Sequence, residues 1–452
     1  MNLTLSKAQA QFLASQAPVA AMLSGVGAGK SWIGTLWADF VALKFPRSLG
    51  LIGANTPAQL NTVVVPSIRK HLDSWGVRYF IGERPPWPSR YDSHSNVLSI
   101  EGGSQVLLRS MFESGIDRGV RGLELDWAYV DEARDVEESV LDVLLGRMRG
   151  AIGPRQIRLT STPNGKKGWL YKKFISAPHD GWLVVRGSTL GNARNLPPGY
   201  VAGLKATYST EQYSQEVLGH WVDSMDGMVY RFDRAKHLVR KDLDPARPIY
   251  FSLDLNVSPM VGVVVQFDER RRTMHAYEEI VIRDNAQTRV ACQMVADRYR
   301  HRVNECLYQC DEAGAARSTR TTESDVLIMQ ELMPKLFGRS RSMNGSAKPR
   351  VVDRVNAVNA MLDPADGQVR LTMDPACGEL IADLETISWD QYGKIDKSDP
   401  QRTHASDALG YAVHRLFPVG AGHGLFGLDA SLEAPGRPRN VQAGFPAPIG
   451  VP

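Results

Sequence analysis

Short apolar runs alternate with helix-period segments through the first half of the chain. "PVAAML" (18–23) is a continuous apolar run suited to a buried strand. "LGLIGA" (49–54), "QVLLRS" (105–110), Trp127 to Val130, "QIRLTS" (156–161) and "WLVVRGS" (182–188) are further strand candidates. After the first of them, Ile33, Leu36, Trp37 and Phe40 recur at i, i+3, i+4 and i+7. That spacing predicts an amphipathic helix opening near Lys30. Strands interleaved with helices predict an α/β domain on a mainly parallel sheet.

The pattern changes after residues 223–248, which read as a linker. In "IYFSLDLNVSP" the period is two: Ser252, Asp254 and Asn256 share one face, Leu253 and Leu255 the other. "MVGVVVQFD" and "TMHAYEEIVI" predict two more strands of an antiparallel meander. A helix-like stretch, 286–302, leads to "ECLYQCDEAG", where Asp311 ends a further strand. In "HASDALGYAVHRLF", Leu409, Ala412, Val413 and Leu416 form an apolar stripe, and His404, Asp407, Tyr411 and His414 a polar one. The organisation this predicts is a domain over 1–222, the linker 223–248, a second domain over 249–417, and a disordered tail over 418–452 rich in glycine, proline and alanine.

Composition narrows the classes. With 452 residues, 43% of them hydrophobic and 23% charged, the chain is globular and long enough for two cores. No apolar run is long enough to cross a bilayer, and the N-terminus lacks a signal-peptide pattern. Cys292, Cys306, Cys310 and Cys377 form no C-x-x-C pair or zinc spacing, which predicts reduced core cysteines. A net charge of +4 permits a nucleic-acid partner without demanding one.

The first chemistry lies between the first strand and its helix. Ser24, Gly25, Val26, Gly27, Ala28, Gly29, Lys30 and Ser31 match the phosphate-loop pattern G-x-x-x-x-G-K-[ST], except that Ser24 replaces the first glycine. In that context backbone N–H groups hold phosphate oxygens, Lys30 reaches the terminal phosphates, and the Ser31 hydroxyl ligates magnesium. "LDWAYVDEARD" then sets Asp131 and Glu132 at the end of a buried strand. There the first carboxylate supports hydrated magnesium and the second orients or deprotonates the attacking water. Asp135, Glu137 and Glu138 belong to a solvated helix start. "TSTPNG" places Thr160, Ser161 and Thr162 where a γ-phosphate sensor sits, although a capping turn uses the same residues. Arg118 and Arg121 are candidates for an arginine finger and read equally well as a surface pair. Gln9 and Gln11 sit where an adenine edge could be read, or are ordinary polar residues.

The second chemistry is a set of acids: Asp254 on a first strand, Asp311 at the end of a fourth, and Asp407 on a late helix. Hard divalent cations take such oxygen ligands, and two of them can drive phosphodiester hydrolysis. Glu312, Asp390, Asp396 and Asp399 are candidates for an auxiliary ligand, and His404 lies one turn before Asp407. Lys348, Arg350 and Arg354 would either track a DNA backbone or form an exposed helix face.

Taken together, the motifs resemble the large terminase subunit of tailed bacteriophages over roughly residues 5–417. "GVGAGKS", "WAYVDEA" and "TSTPNG" carry the ATPase likeness. "STLGNARNLPPGY" and "YSQEVLGHWVDSMDGMVY" resemble the passage from motor to nuclease, and "FSLDLN", "YQCDEAG" and "HASDALGYAVHR" the nuclease. The resemblance implies a P-loop ATPase domain followed by a ribonuclease H-like nuclease domain with a mixed sheet. It implies ATP and Mg2+ as cofactors, with Mn2+ also possible in the nuclease. By the same resemblance Lys30 and Ser31 bind phosphate and metal, Glu132 is the ATPase base, and Asp254, Asp311 and Asp407 hold the nuclease metals. The family cuts concatemeric viral DNA and drives double-stranded DNA into the procapsid. Its members act in the host cell cytoplasm as a ring on the portal protein, with a small terminase subunit that selects the DNA.

Two other readings compete. A helicase-nuclease of DNA repair would need a second motor domain, and this chain spends that length on the acid-bearing half. A non-catalytic DNA-binding scaffold would not need Lys30, Asp131 and Glu132 intact.

Overall fold

Alternate residues of the first strand enter two different cores. Val19, Ala21 and Leu23 pack with Val140, Leu141 and Leu144, while Ala20 and Met22 pack with Phe12, Ile33 and Leu36. A strand covered on both faces has no polar side to show, which explains the unbroken apolar run. The computed structural model describes residues 4–91, 94–111, 120, 122–166, 168–222, 227–256, 258–284, 286–311, 324–344, 349–390 and 394–419.

The first sheet has eight strands: β1 (Val19–Ser24), β2 (Leu49–Ala54), β3 (Tyr79–Ile81), β4 (Val97–Ile100), β5 (Gln105–Ser110), β6 (Trp127–Val130), β7 (Gln156–Ser161) and β8 (Leu183–Gly187). Their order is β3-β4-β5-β2-β6-β7-β1-β8. From β5 to β8 every pairing is parallel. The hydropathy pattern did not reveal β3 and β4, which add an antiparallel edge beside β5. The helix Lys30–Lys44 leaves the C-terminal end of β1, so the loop between them opens at the edge where parallel α/β sheets bind ligands.

The second sheet is mixed. Its strands are β9 (Ile249–Asp254), β10 (Met260–Asp268), β11 (Thr273–Ile282), β12 (Cys306–Cys310), β13 (Ser340–Ser342) and β14 (Leu371–Met373), in the order β13-β12-β9-β10-β11-β14. β9, β10 and β11 form the antiparallel meander, and β12 lies parallel to β9. Val261, Val263 and Val265 face the helix His404–Leu416 through Ala408, Leu409 and Ala412. On the opposite face Phe251, Leu253 and Val264 meet Ala291, Val295 and Met329.

Two local expectations are corrected. β9 ends at Asp254, so Leu255 and Asn256 lie beyond the strand and not in its alternation. The helix expected over 286–302 runs Thr288–Tyr299. Among the residues read as a linker, Val229 and Tyr230 are buried in the core beneath the second sheet. Met228 bridges to Ser388 and Leu238 to Met373.

Both sheets lie within one packed unit, Met1–Val419. Residues 208–210 and 363–365 join them: the Thr210 N–H donates to the Asp363 carbonyl and the Ala365 N–H to the Tyr208 carbonyl, each at 2.9 Å. An Arg231–Glu211 ion pair flanks this seam. No helix among the described residues is long and apolar enough to cross a membrane.

Candidate active sites

Ser24 is the last residue of β1, in extended backbone that any residue adopts. The departure from the loop pattern is therefore conformationally neutral. Glycine is required at the next position, because a side chain on Gly25 would collide with the carbonyl oxygens of Glu216 and Val217. Gly29 is required for its conformation: it starts the helix at φ 77°, in the left-handed region.

The Lys30 ammonium donates to the carbonyls of Ser24 (3.0 Å) and Gly25 (2.9 Å) and to Thr162 Oγ1 (2.9 Å). One side chain thus links the loop to the turn after β7. Burial lowers its pKa, opposed by Glu132, Glu216 and Asp131. Ser31 Oγ donates to Asp131 Oδ1 at 3.1 Å. The same carboxylate oxygen accepts from Thr160 Oγ1 (2.7 Å) and from the Tyr129 hydroxyl (3.0 Å). Ser31 and Asp131 offer the hard oxygens a magnesium ion takes, already side by side, so the residues fit that ion.

Glu132 follows Asp131 in the left-handed region (φ 49°), a conformation that costs a non-glycine residue of order 1–3 kcal/mol. Its buried Oε2 accepts no hydrogen bond among the described residues. Burial raises its pKa, and Lys30 acts in the opposite direction. A carboxylate held in a strained turn with an open lone pair is suited to take a proton from water. The next-but-one residue, Arg134, spans to Glu216 (3.1 Å) and keeps its Nε 3.9 Å from Glu132 Oε2.

Several side chains hold the loop in ways the sequence did not indicate. Gln9 is buried and donates to the Ala28 carbonyl (3.0 Å) while its own carbonyl accepts the Ser6 N–H (2.9 Å). Each end makes one bond inside the protein, so Gln9 clamps the loop. Asn192 donates to the Gly27 carbonyl (2.8 Å) and Thr189 Oγ1 to that of Val26 (2.5 Å). The Val26 N–H donates to the Glu216 carbonyl at 2.6 Å. A polar residue before a helix carries no sequence mark of such a role. Arg118 and Arg121 lie outside the described residues.

The second constellation sits at the ends of β9 and β12. These neighbouring parallel strands finish at Asp254 and just before Asp311, and the Asp311 N–H donates to the Leu253 carbonyl (3.1 Å). Asp407 lies in the first turn of the helix His404–Leu416. The charges of Asp254, Asp311 and Asp407 all act on the Tyr411 hydroxyl, whose pKa is raised chiefly by burial. The contact between His404 and Asp254 sets the start of this helix beside the ends of β9 and β12.

Two basic side chains engage these acids. Arg354 donates to Asp407 Oδ1 at 2.8 Å, and His404 Nδ1 lies 3.1 Å from Asp254 Oδ2. Burial raises the Asp407 pKa, with Arg354 opposing and Asp254 adding to the rise. The hydrogen bond to Asp254 raises that of His404. Among the described residues no three His, Cys, Asp or Glu side chains gather closely enough to hold a metal. The donor chemistry fits a hard divalent cation, while the carboxylates are not drawn into a closed cage.

Asp390 and Asp396 accept backbone N–H bonds from Lys394 and Ser398, and Asp399 from Gln401, which makes them turn-forming residues. Glu312 and Lys348 lie outside the described residues. Arg350 is exposed and pairs with Asp353. Arg354 is buried, which corrects its reading as an exposed or DNA-tracking residue. Asp383 also escaped the sequence reading. Buried, it accepts the Ser406 N–H (3.0 Å) and so fixes the start of the helix that carries Asp407.

Comparison with known proteins bears on the fold. Residues 21–236 match the family model for the N-terminal part of the terminase large subunit of T4-like viruses. The large terminase of a thermophilic bacteriophage superposes with a TM-score of 0.61 at 16% identity, over 91% of this chain and 99% of that one. Its complexes with ADP and with ATP-gamma-S match at TM-scores of 0.59 and 0.58, 17% and 18% identity, over the same shares. No curated relative matches the sequence at a significant level. The chain has the fold of the large terminases along most of its length.

Proposed function

We propose that this chain is the large subunit of a viral DNA-packaging terminase, an ATP-driven motor and a DNA endonuclease in one polypeptide. The observation that carries the reading is the presence, in one chain, of two separate constellations. Lys30, Ser31, Asp131 and Thr162 are hydrogen-bonded at the end of one sheet with Glu132 next in the chain, and Asp254 and Asp311 lie at neighbouring strand ends of another, with His404, one turn before Asp407, against Asp254. The terminase of the thermophilic phage, solved with ADP and with ATP-gamma-S, lends the nucleotide reading support.

In the motor, residues 1–222, loop N–H groups and Lys30 bind the phosphates of ATP. Glu132 accepts the proton of the attacking water, and Asp131 and Ser31 hold magnesium, which neutralises developing phosphate charge when bound. Thr162 shares Lys30 with the loop, so release of the lysine to phosphate is felt at the turn after β7. Arg118 or Arg121 supplies the arginine finger. In the nuclease, residues 249–417, Asp254, Asp311 and Asp407 hold Mg2+ or Mn2+, which activates water for phosphodiester hydrolysis when bound. Residues 223–248 connect the two. The substrates are ATP and concatemeric double-stranded DNA. The partners are further copies in a ring, the portal protein of the procapsid and a small terminase subunit, in the host cytoplasm.

Purified protein should hydrolyse ATP faster with double-stranded DNA present and should nick or linearise plasmid with Mn2+. A protein that does neither, with native circular dichroism, contradicts the reading.

A further inference from the structure

Arg354 is the cation most firmly built into the acid site, and its surroundings differ from those of a surface arginine. Its side chain is only 5% exposed. The guanidinium carbon sits 4.2 Å from the centre of the Tyr411 ring, and one amino group donates to Asp407 Oδ1 at 2.8 Å. The stem of Arg354, on the helix Val351–Leu362, lies over Gly410, where an added Cβ would stand 3.4 Å from Arg354 Cβ, in ordinary van der Waals contact. Stem, face and tip of the arginine are therefore each fixed by the helix that carries Asp407. Its Nε is buried without a hydrogen-bond partner among the described residues, which marks a group held for its charge at one end.

From this packing we propose that Arg354 is a resident counter-cation which competes with a divalent metal for the Asp407 carboxylate and so sets the metal affinity of the nuclease site. The proposal rests on the reading of Asp254, Asp311 and Asp407 as the metal-holding acids. A guanidinium and a hard cation draw on the same oxygen lone pairs, and the Arg354 bond already takes one of them. A second positive charge brought to the same carboxylate is also repelled by the first. Arg354 is a positioning residue in this account: it keeps Asp407 aimed into the site and weakens the hold on metal there.

The test is Mn2+ titration of the full chain without nucleotide, followed by the loss of the free-ion electron paramagnetic resonance signal. Asp254→Asn and Asp407→Asn define the signal that belongs to this site. Arg354→Met, which keeps the stem and removes the charge, should bind Mn2+ at least about tenfold more tightly than wild type. Arg354→Lys keeps the charge but loses the planar stack on Tyr411, and should bind more tightly by a smaller factor. If the Met variant has no cooperative thermal melt, the Lys variant alone decides. Affinity equal to or weaker than wild type in the folded variants overturns the proposal. Mn2+ binding indifferent to both aspartate substitutions overturns instead the reading on which it rests. A purely structural role for Arg354 does not tighten metal binding, so the direction of the change separates the two.

Discussion

Ser31 Oγ donates a hydrogen bond to Asp131 Oδ1 across 3.1 Å, although the two residues lie a hundred positions apart in the sequence. The parallel order of β1, β7 and β6 brings the start of one helix to the end of another strand, and that register builds the proposed nucleotide site. Ser31→Ala and Asp131→Asn each remove one oxygen of the pair. Both should lower kcat/KM for Mg-ATP by about a hundredfold or more, in line with the loss of a preorganised electrostatic group. Isothermal titration with Mg-ADP against ADP alone checks the cause, because the magnesium-dependent gain in affinity should shrink in both variants.

Glu132 is expected to act through its proton. Glu132→Gln should lower kcat by a factor of about 10²–10⁴ while nucleotide binding persists. Burial raises the carboxyl above its ordinary value, and the base must be ionised to work. The acidic limb of the wild-type ATPase profile should therefore lie above the usual glutamate range, activity falling as pH drops through it. A limb at or below that range removes Glu132 from the role.

The loop offers a contrast between neighbouring positions. Ser24 lies in ordinary extended backbone, so Ser24→Gly should bring no gain in nucleotide affinity and should destabilise the fold by about 0.5–1 kcal/mol. Gly25→Ala drives a methyl group into the carbonyls of Glu216 and Val217 and should displace the loop. Thermal melts with and without ADP read both effects: the Ala variant should lose the ADP-induced rise in Tm, and the Gly variant should keep it.

What was legible in the sequence followed from local chemistry. Gly29, Lys30 and Ser31 announce their use by their order, and β1, β2, β5, β6 and β7 by apolar runs that need two covered faces. Asp254, Asp311 and Asp407 could be singled out because strand ends and a helix stripe place them without knowledge of any contact. The partner of Arg354 was not legible, because an arginine in "VVDRVNAVNAML" looks the same whether its tip meets water or an aspartate 53 residues later. Gln9 failed for the same reason, since its partner Ala28 is a backbone carbonyl in a loop nineteen residues away. β3 and β4 were missed as well, being short strands of three and four residues.

Asp383 predicts a pH dependence of stability. Burial pushes its carboxyl up to about 6, opposed by backbone bonds from Ser406 and Thr403. A raised carboxyl favours the folded state most below its ordinary value, and this contribution is lost as pH rises through about 6. Asp383→Asn removes that loss, so wild type should lose about 2–3 kcal/mol relative to the variant between pH 4 and pH 7. Urea unfolding at the two pH values measures the difference. A gap that does not change with pH contradicts the assignment.

The central claim is that two independent active sites occupy one chain. It is tested most directly by assaying DNA-stimulated ATP hydrolysis and Mn2+-dependent plasmid cleavage on the same preparations of wild type, Glu132→Gln and Asp254→Asn. Glu132→Gln should lose hydrolysis and, with Mn2+ supplied and ATP omitted, still cut the plasmid. Asp254→Asn should lose cutting and retain hydrolysis. The claim is contradicted if either variant keeps the activity assigned to its residue, or if both substitutions, in folded protein, abolish both activities together.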